Sequence, residues 1–242
     1  MNTAQNALTV AVLYPRMDNI QLRDSLQKDS QDPFEMDEAE ISIRLQKAWS
    51  EISSREQPIL PLLPGVADGE PKPAAVLIPF LRRQEQWHLL FTLRNNHLPE
   101  HSGQVAFPGG RMDAVDPDPI ATALREAHEE IGLDSQDVRI LGQLPSFQTV
   151  TNYRVTPVIG AMPWPYPLII CEEEVERAFT IPLRWLANPE HHEVHHQQLS
   201  PHHQPIPVVY FHLYLDELLW GASARFTLTL LEALGLLLPS AE

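Results

Sequence analysis

The sequence predicts a mixed-sheet α/β fold, because strand-like and helix-like segments alternate without the regular rhythm of a doubly wound fold. Strand patterns occur in five segments: AAVLIPFL, WHLLFTLR, VRILGQL, RVTPVIGAM and IPVVYFHL. Helical patterns stand out around Arg125 and in SARFTLTLLEALGLL near the C-terminus. With 242 residues, 43% of them hydrophobic, the chain can bury a sizeable core. We therefore expect one large domain, or a medium domain with an extension.

The pattern changes near Pro73, and we predict an N-terminal extension over residues 1–72 and the main domain over residues 73–242. In the extension, ALTVAVLYP has a strand pattern. The later segment PILPLLPGVADGEPKP is rich in Pro and Gly, which indicates a linker to the main domain.

A helix is predicted between these two segments. Asp37 and Glu40 have the spacing of a capping box at its start. Its apolar residues fall on one face: Ile41, Leu45, Ala48, Trp49 and Ile52. This face predicts packing against the main domain or, as the alternative, formation of a homodimer.

The charge balance excludes two classes of partner. The formal net charge is −15, from 17 basic and 32 acidic side chains, so the surface repels nucleic acids and anionic membranes. The lysines are Lys28, Lys47 and Lys72, and the Gly-Lys-Ser/Thr of a Walker-type phosphate loop is missing from the sequence. If the protein handles phosphates, it must use metal ions and arginines.

The cysteine content, the apolar runs and the first residues of the sequence indicate the compartment of the protein. Cys171 is the single cysteine, which excludes an internal disulfide and a Cys-based zinc site and suits a reducing compartment. No run of about 18 apolar residues could span a bilayer. The first 15 residues contain no Lys or Arg, so a signal peptide with a basic start is not expected. We therefore expect a cytoplasmic protein.

The segment EHHEVHHQQLSPHHQ contains six of the 11 histidines. Histidine clusters can bind metal ions. However, Gln197, Gln198, Ser200 and Pro201 indicate a loop, and no acidic partner lies at a helical spacing. We therefore predict an exposed loop without a functional metal site.

A helix with an acidic side is predicted in LREAHEEIGL, residues 124–133. At 100° per residue, Glu126, Glu129 and Glu130 gather on one side, although like charges at these spacings repel each other. Arg125 lies one turn before Glu129 and can hold its carboxylate. The opposite, apolar side consists of Ile120, Leu124, Ala127 and Ile131. The boundaries are indicated by Asp118 as N-cap, Pro119 as first residue, Gly132 as C-cap and Leu133 beyond it.

The loop before this helix, FPGGRMDAVDPD, adds further oxygen atoms. Gly109 and Gly110 allow the backbone to turn tightly or to approach a ligand closely. The aspartates are Asp113, Asp116 and Asp118. Carboxylate and carbonyl oxygens suit Mg²⁺ or Mn²⁺, and such cations would remove the repulsion between the glutamates. The alternative is a solvated acidic face, but helix and loop together favour a metal site.

The segment GGRMDAVDPDPIATALREAHEEIGL resembles the Nudix box: Gly, five residues, Glu, seven residues, then Arg-Glu-hydrophobic-x-Glu-Glu-x-Gly-hydrophobic. Residues 125–133 match at every defined position. In the first half, Asp116 stands where the box has Glu, and eight residues separate it from Arg125. The resemblance implies a Nudix-type mixed sheet packed between helices, an α/β/α sandwich, and a metal-dependent hydrolase.

The same resemblance implies roles for individual residues. Glu126, Glu129 and Glu130, with the carbonyl oxygen of Gly110, are expected to bind Mg²⁺ or Mn²⁺. Glu126 is either a metal ligand or the general base. Arg125 is expected to orient Glu129, which makes it the fourth catalytic residue.

Upstream, LLFTLRNNHLPEHSGQVAFPGG is similar to the signature of the coenzyme A pyrophosphatase branch of Nudix hydrolases. The matching residues are Arg94, Gly103, Phe107, Pro108, Gly109 and Gly110. Asn95 replaces a small residue of that signature, and Pro99 replaces its second Arg. The expected substrate contacts are Arg94, Arg111 and Gly109, with Arg82, Arg83 and Arg154 as further candidates. Surface ion pairing is the alternative role for Arg94 and Arg111.

The implied reaction is hydrolysis of coenzyme A or an acyl-coenzyme A to 3′,5′-ADP and a 4′-phosphopantetheine. One alternative is a Nudix hydrolase of a dinucleotide cofactor, a nucleotide sugar or an NTP. Another is a non-catalytic module that binds a nucleotide or a partner protein. Such a module would be expected to have lost acids of the box, and all three helix glutamates are present.

Overall fold

The computed structural model of the chain describes residues 32–54, 60–63, 65–66, 69–97, 102–199 and 204–237. The predicted strand ALTVAVLYP lies outside these residues, as do Pro99 and part of the predicted linker. Among the described residues, no helix combines the length and the apolar character that crossing a bilayer requires.

Helices and strands alternate irregularly along the described residues. The helices are α1 (Glu38–Ser53), α2 (Pro119–Ile131), α3 (Leu183–Leu186) and α4 (Gly221–Ala233). The first strands are β1 (Lys72–Arg83), β2 (Gln86–Arg94), β3 (Val105–Ala106), β4 (Gly109–Arg111) and β5 (Arg139–Gln143). The later strands are β6 (Phe147–Gln148), β7 (Tyr153–Ala161), β8 (Val175–Pro182), β9 (His192–Gln197) and β10 (Ile206–Phe211). Each of the five strand patterns in the sequence lies in one of these strands.

Strand β1 is at the centre of a mixed sheet. It runs antiparallel to β2, after a tight turn in which Gln84 and Glu85 have positive φ, and parallel to β7. Strand β4 pairs with the first part of β1, β8 pairs with β2, and β5 and β6 pair with β7. Strands β9 and β10 form a separate two-stranded sheet. The start of β1 therefore lies beside the two glycines of β4.

Different helices cover the two faces of the large sheet. Helix α2 packs on one face through Ala123, Ala127 and Ile131, which contact the buried cluster that includes Ala75 and Leu77 of β1. Helices α1 and α4 contribute to a second, larger cluster on the other face. The predicted α/β/α sandwich is confirmed.

Helix α1 packs on the main domain, as predicted. The Asp37 carboxylate accepts a hydrogen bond from the Glu40 N–H at 2.7 Å, as the capping box requires. The three apolar side chains that this helix buries are Ile41, Leu45 and Ile52. Trp49 was predicted on the same face but is 42% exposed, and this prediction was wrong. At 100° per residue it lies about 60° from the centre of the apolar stripe. The division of the chain at residue 72 stays a prediction.

The His-rich segment was predicted as a loop, and for residues 192–197 this prediction was wrong. These residues form β9, which pairs antiparallel with β10 from His192↔Phe211 to Gln197↔Ile206. Val194 packs against the larger cluster, whereas His195 and His196 are exposed, as predicted. The strand depends on a partner that follows later in the chain, and the polar composition of the segment conceals it.

Candidate active site

Helix α2 begins and ends where the sequence predicts. The Asp118 carboxylate accepts a hydrogen bond from the Ala121 N–H at 2.9 Å, and Pro119 is the first helical residue. Gly132 ends the helix with a φ of 67°, a left-handed conformation that glycine adopts without strain. The two caps fix the length of the helix that carries the three glutamates.

The three glutamates of α2 do not share one solvated face. The exposed fraction of the side chain is 2% for Glu130, 15% for Glu126 and 55% for Glu129. Glu130 and Glu126 turn toward the sheet, where Gly110 of β4 faces the carboxylate of Glu126. The solvated acidic face therefore fails as an explanation for two of the three.

Burial changes the protonation of both inward-facing glutamates. Desolvation raises the pKa of Glu130 to about 8, with smaller increases from the nearby charges of Glu126 and Glu174. Arg94 and a hydrogen bond from the backbone of Gly109 oppose this shift. Desolvation also raises the pKa of Glu126, although Arg125 opposes it. Burial therefore disfavours the negative charge of both carboxylates, and Arg94 and Arg125 offset this cost only in part.

Arg125 connects the glutamates to the preceding loop. Its Nη1 donates to Glu129 Oε2 at 3.0 Å, as predicted, and also to Glu126 Oε1 at 2.9 Å. Its Nε and Nη2 donate to the Asp116 carboxylate at 3.1 and 2.9 Å, and Nη2 also donates to the Arg111 carbonyl oxygen at 3.1 Å. The guanidinium therefore fixes the helix and the loop to each other.

Two of the loop aspartates, Asp116 and Asp118, have structural partners. The hydrogen bonds from Arg125, with further ones from the Asp113 backbone and the Thr122 hydroxyl, hold the pKa of Asp116 well below its usual range. Asp118 is occupied as the N-cap of α2. In the position where the Nudix box has Glu, Asp116 thus anchors Arg125.

The adjacent glycines of β4 contact different neighbours. A Cβ atom on Gly110 would lie 2.6 Å from the Glu126 carboxylate, so the missing side chain makes room for that carboxylate. A Cβ atom on Gly109 would lie 2.4 Å from the Ala75 carbonyl oxygen, so this glycine allows β4 to pack on β1. The predicted contact of Gly109 with substrate stays a prediction.

The arginines proposed for substrate contacts occupy different positions. Arg94 is 23% exposed and its Nη1 lies 3.7 Å from Glu130 Oε1, so it faces the site and is not a surface ion pair. Its buried Nε has no hydrogen-bond partner among the described residues. Arg111 is exposed on β4. Arg82 and Arg83 lie at the opposite end of β1, about 23 Å along the strand from the residue that pairs with Gly110. They are therefore too far from the site to contact a substrate there.

Glu174 is an acidic residue of the site that the sequence analysis did not identify. It lies in the turn before β8, and its charge raises the pKa of both Glu126 and Glu130. Cys171 N–H donates to the Glu130 carbonyl oxygen at 2.9 Å, which ties this turn to the end of α2. The run CEEEVE has the composition of a solvated surface, and β8 has no clear strand pattern in the sequence. The position of Glu174 could therefore not be predicted.

Asn95 holds the turn that carries Glu174. Its Nδ2 donates to the Glu172 carbonyl oxygen at 2.7 Å, and its backbone N–H donates to the Glu174 carbonyl oxygen at 2.9 Å. We expect Asn95→Ala to reduce kcat/KM by about fivefold, because losing one such hydrogen bond costs roughly 1 kcal/mol. The control is Asn96→Ala, whose Nδ2 instead donates to the Glu176 carboxylate at 3.2 Å. Equal losses in both variants would contradict a specific role for Asn95.

The residues of this site fit a hard divalent cation. Glu130 is buried and Glu126 is largely buried. Desolvation disfavours the negative charge of both carboxylates, and a cation would relieve that cost. Among the described residues, no three His, Cys, Asp or Glu side chains already converge at metal-ligand spacing. Arg125 draws Glu126 and Glu129 toward itself, so the ligand set predicted from the sequence requires these side chains to rotate.

Comparisons with known proteins match the part of the chain that contains this site. Residues 71–211, more than half of the chain, match the family model described as the NUDIX domain. A protein from Enterobacter sp. (strain 638), named "Uncharacterized Nudix hydrolase NudL", is 43% identical over 152 residues, which cover 62% of this chain and 77% of that protein. The protein of the same name from Escherichia coli (strain K12) is 49% identical over 110 residues, covering 46% of this chain and 57% of its own. The match thus spans little more than half of the E. coli protein.

Similar solved structures carry the same family name. A MutT/nudix family protein from Enterococcus faecalis has 17% identity and a TM-score of 0.45, covering 83% of this chain and 80% of that chain. The NUDIX domain of Shewanella oneidensis NrtR, solved in complex with ADP ribose, has 17% identity and a TM-score of 0.37, covering 55% and 82%. Because the NUDIX domain model covers most of the sandwich and its capped glutamate helix, the chain belongs to the Nudix hydrolase family.

Proposed function

We propose that this chain is a metal-dependent pyrophosphohydrolase of nucleoside diphosphate derivatives, with coenzyme A or an acyl-coenzyme A as its substrate. The observation that carries the proposal is the pair of inward-facing carboxylates, the buried Glu130 and the largely buried Glu126, beside the inward-facing Arg94. Such a site presents hard oxygen ligands and a guanidinium to one small volume, which suits a metal-bound diphosphate. The products would be 3′,5′-ADP and a 4′-phosphopantetheine.

The described residues can divide the reaction between them. Glu126, Glu129 and Glu130, with the Gly110 carbonyl oxygen, would hold Mg²⁺ or Mn²⁺, and Glu126 or Glu174 would accept the proton of the attacking water. A bound cation would neutralise diphosphate oxygens and lower the pKa of coordinated water. Water would attack one phosphorus atom of the diphosphate. The bond between that phosphorus and the bridging oxygen would break, and the bridging oxygen would leave with the other phosphate.

Arg94 and Arg125 would serve different purposes in that reaction. Arg94 has an unpartnered, buried Nε and reaches into the site, which supports a contact with the diphosphate. Arg125 is saturated by Asp116, Glu126 and Glu129, so its purpose is to position carboxylates. Arg111 and Gly109 are further proposed substrate contacts.

The substrate rests on the similarity of the segment between Leu89 and Gly110 to the coenzyme A branch. The direct test is to incubate the full chain with Mg²⁺ or Mn²⁺ and a panel of substrates, and to identify the products by mass. The panel comprises coenzyme A, dephospho-coenzyme A, ADP-ribose, NADH and ATP, each also with excess chelator. We expect 3′,5′-ADP from coenzyme A and no turnover with chelator. If only another member of the panel is cleaved, the assignment of coenzyme A as substrate is wrong and the assignment as a hydrolase stands. Binding without cleavage would favour a non-catalytic module.

The remaining proposals concern the surroundings of the protein. The single cysteine, Cys171, supports a reducing, cytoplasmic compartment, and the net charge of −15 supports a protein that binds neither nucleic acid nor anionic membranes. Ile43 and Trp49 of α1 are exposed, at 65% and 42%, and these apolar side chains support a homodimer through this helix. Sedimentation of the wild-type chain and of Trp49→Ala tests this contact, and an unchanged monomer in both would overturn it.

A further inference from the structure

Residues 212–219, between β10 and α4, form a hairpin with a strained tip. Tyr214 and Glu217 exchange both of their backbone hydrogen bonds, at 3.0 and 3.1 Å. The two residues between them, Leu215 and Asp216, have φ values of 51° and 66°. A bulky residue such as leucine rarely adopts this left-handed conformation, which costs conformational free energy. The hairpin therefore depends on contacts that hold it against the rest of the chain.

Two of these contacts lead to His191, which ends the short 3₁₀ helix Pro189–His191. At the base of the hairpin, the His212 N–H donates to the His191 carbonyl oxygen at 2.7 Å. At its side, the Tyr214 ring packs edge-on against the Trp185 ring, with centroids 5.0 Å apart. The His191 imidazole stacks on the other side of this contact, 4.4 Å from the Trp185 centroid. The position of the His191 ring therefore affects how firmly the hairpin is held.

The hydrogen bonds of the His191 ring require a neutral imidazole. Its Nδ1 lies 2.9 Å from the Trp185 carbonyl oxygen, which can only accept, so Nδ1 carries the proton. Its Nε2 lies 3.3 Å from Asn188 Nδ2, which can only donate, so Nε2 must be unprotonated. The orientation of the Asn188 amide is fixed, because its Oδ1 accepts from the Glu190 N–H at 3.0 Å. A second proton on His191 would therefore place two donors against each other.

The adjacent His192, the first residue of β9, also disfavours a second proton. Its Nδ1 is buried and has no hydrogen-bond partner among the described residues, so protonation would create a buried donor without an acceptor. Desolvation lowers the pKa of His192 from its ordinary value of 6.5, and the charges of His191 and His212 lower it further. A hydrogen bond with the Asn188 backbone opposes this shift. The stability that neutral His192 provides is thus present above pH 6.5 and is lost as the pH falls through the lowered pKa.

Other charged and titratable groups on the surrounding elements do not take part in this arrangement. Strand β9 packs against β10 and the 3₁₀ helix, which in turn contacts α3. Several groups on these elements and the hairpin have their own partners, namely Glu193 with His195, Glu217 with Arg177, Arg184 with Asp32, and Tyr210 with Gln197. The remaining ones are exposed to solvent, namely Glu190, His196 and Asp216.

We propose that His191, His192 and His212 form an acid-sensitive latch, which holds the hairpin in place when the imidazoles are neutral and releases it when they are protonated. The His191 and His212 rings lie 6.4 Å apart, so positive charges on them repel each other. Protonation also breaks the hydrogen bond between Asn188 and His191 and displaces the ring that stacks on Trp185. The strain in the hairpin tip favours release once these contacts are lost.

Release of the hairpin would affect β8. Near the tip, Glu217 forms an ion pair with Arg177 of β8, which is three residues after Glu174. A hairpin that moves away takes this partner from Arg177. The latch thus connects the pH to the strand that follows the turn with Glu174, and it does not depend on the substrate proposed above.

Hydrogen exchange of the full chain at pH 7.5 and pH 5, corrected for the intrinsic exchange rates, measures release of the hairpin. In the wild type we expect the protection of residues 212–219 to fall about tenfold or more at pH 5, as for a buried donor that loses its acceptor. Residues 153–161 of β7, inside the large sheet, should keep their protection. In Asn188→Asp, the new carboxylate can accept from a protonated His191, so the hairpin should stay protected at pH 5. In His192→Phe, which lacks the buried ring nitrogen, the fall should be smaller than in the wild type.

The matched control is His195→Gln, which removes an exposed histidine of the same strand that pairs with Glu193 and should show the wild-type fall. The latch is wrong if the wild-type hairpin is equally protected at both pH values, or if Asn188→Asp loses protection as the wild type does. It is also wrong if residues 153–161 lose protection together with the hairpin, because the whole fold then responds to acid. If His192→Phe is already unprotected at pH 7.5, Asn188→Asp decides alone, because aspartate can still accept from the Glu190 N–H.

Discussion

Replacing Glu130 by Gln is expected to reduce kcat by about 10²–10³-fold while the chain remains folded, as for loss of a key electrostatic group. The amide has nearly the volume of the carboxylate but neither its charge nor its affinity for a cation. Glu130 is the most buried of the three glutamates and lies 3.7 Å from Arg94. A neutral side chain at this position should therefore weaken the binding of a cation more than a neutral side chain at either of the other two glutamates. Steady-state kinetics with Mg²⁺ or Mn²⁺ measures the effect. Full activity in Glu130→Gln would rule out Glu130 as a metal ligand.

The same substitution should stabilise the metal-free protein at alkaline pH. Burial raises the pKa of Glu130 from 4.5 to about 8, so the folded state prefers the protonated carboxyl. Below pH 4.5 the protonated Glu130 carboxyl costs the folded state no stability, and the folded state loses stability as the pH rises toward 8. Above pH 8 the wild type should be less stable than Glu130→Gln by on the order of 2–4 kcal/mol, since each pKa unit is worth about 1.4 kcal/mol.

Chemical denaturation at pH 5 and pH 9, in chelator, measures this difference. The control is Glu129→Gln, because the Glu129 side chain is 55% exposed. We expect Glu130→Gln, but not the control variant, to be more stable than the wild type at pH 9. Adding Mg²⁺ to the wild type should remove this difference in stability. A substitution that lowers activity and raises stability is typical of a functional group held in an unfavourable environment. If Glu130→Gln is instead less stable at both pH values, its carboxylate is structural.

The helix of the site could be predicted from the sequence because its signals are local. Asp118, Pro119 and Gly132 determine the ends of α2 through contacts within a few residues, and the apolar spacing determines its buried side. The approach of Arg125 to Glu129 follows from one turn of helix. Local periodicity likewise sufficed for the central strands, each of which is supported by its own apolar run.

Features that depend on distant residues could not be predicted. Strand β9 is polar and exists through its ladder with β10, and the turn with Glu174 reaches the site through hydrogen bonds to Asn95, which is far away in sequence. A sequence also does not reveal how deeply a side chain is buried. Glu129 and Glu130 are adjacent, yet the Glu129 side chain is 55% exposed and the Glu130 side chain is 2% exposed. That difference arises because β4 covers one side of the helix. Burial by another element thus raises the pKa of Glu130.

The two glycines of β4 provide the second large expected effect, since the same substitution should fail for different reasons at adjacent positions. In Gly109→Ala, the new Cβ meets backbone atoms of β1, at 2.4 Å from the Ala75 carbonyl oxygen and 2.5 Å from the Val76 Cα. Neither atom can rotate away, so β4 must shift, and we expect a loss of unfolding free energy of about 3 kcal/mol. Thermal denaturation in chelator measures this loss without any contribution from a cation.

In Gly110→Ala, the three atoms nearest to the new Cβ belong to the Glu126 carboxylate, the closest at 2.6 Å, and that end of the side chain can rotate away. The fold should therefore keep nearly its full stability, while displacement of a carboxylate by about 1 Å can lower kcat by about 10²-fold. The pair is its own control, because each variant adds one methyl group to neighbouring residues of one strand. The contrast requires stability loss in Gly109→Ala and activity loss with retained stability in Gly110→Ala. If Gly110→Ala turns over substrate normally, Glu126 does not act from the position it has beside β4, and the roles assigned to the inward-facing carboxylates must pass to Glu130 and Glu174.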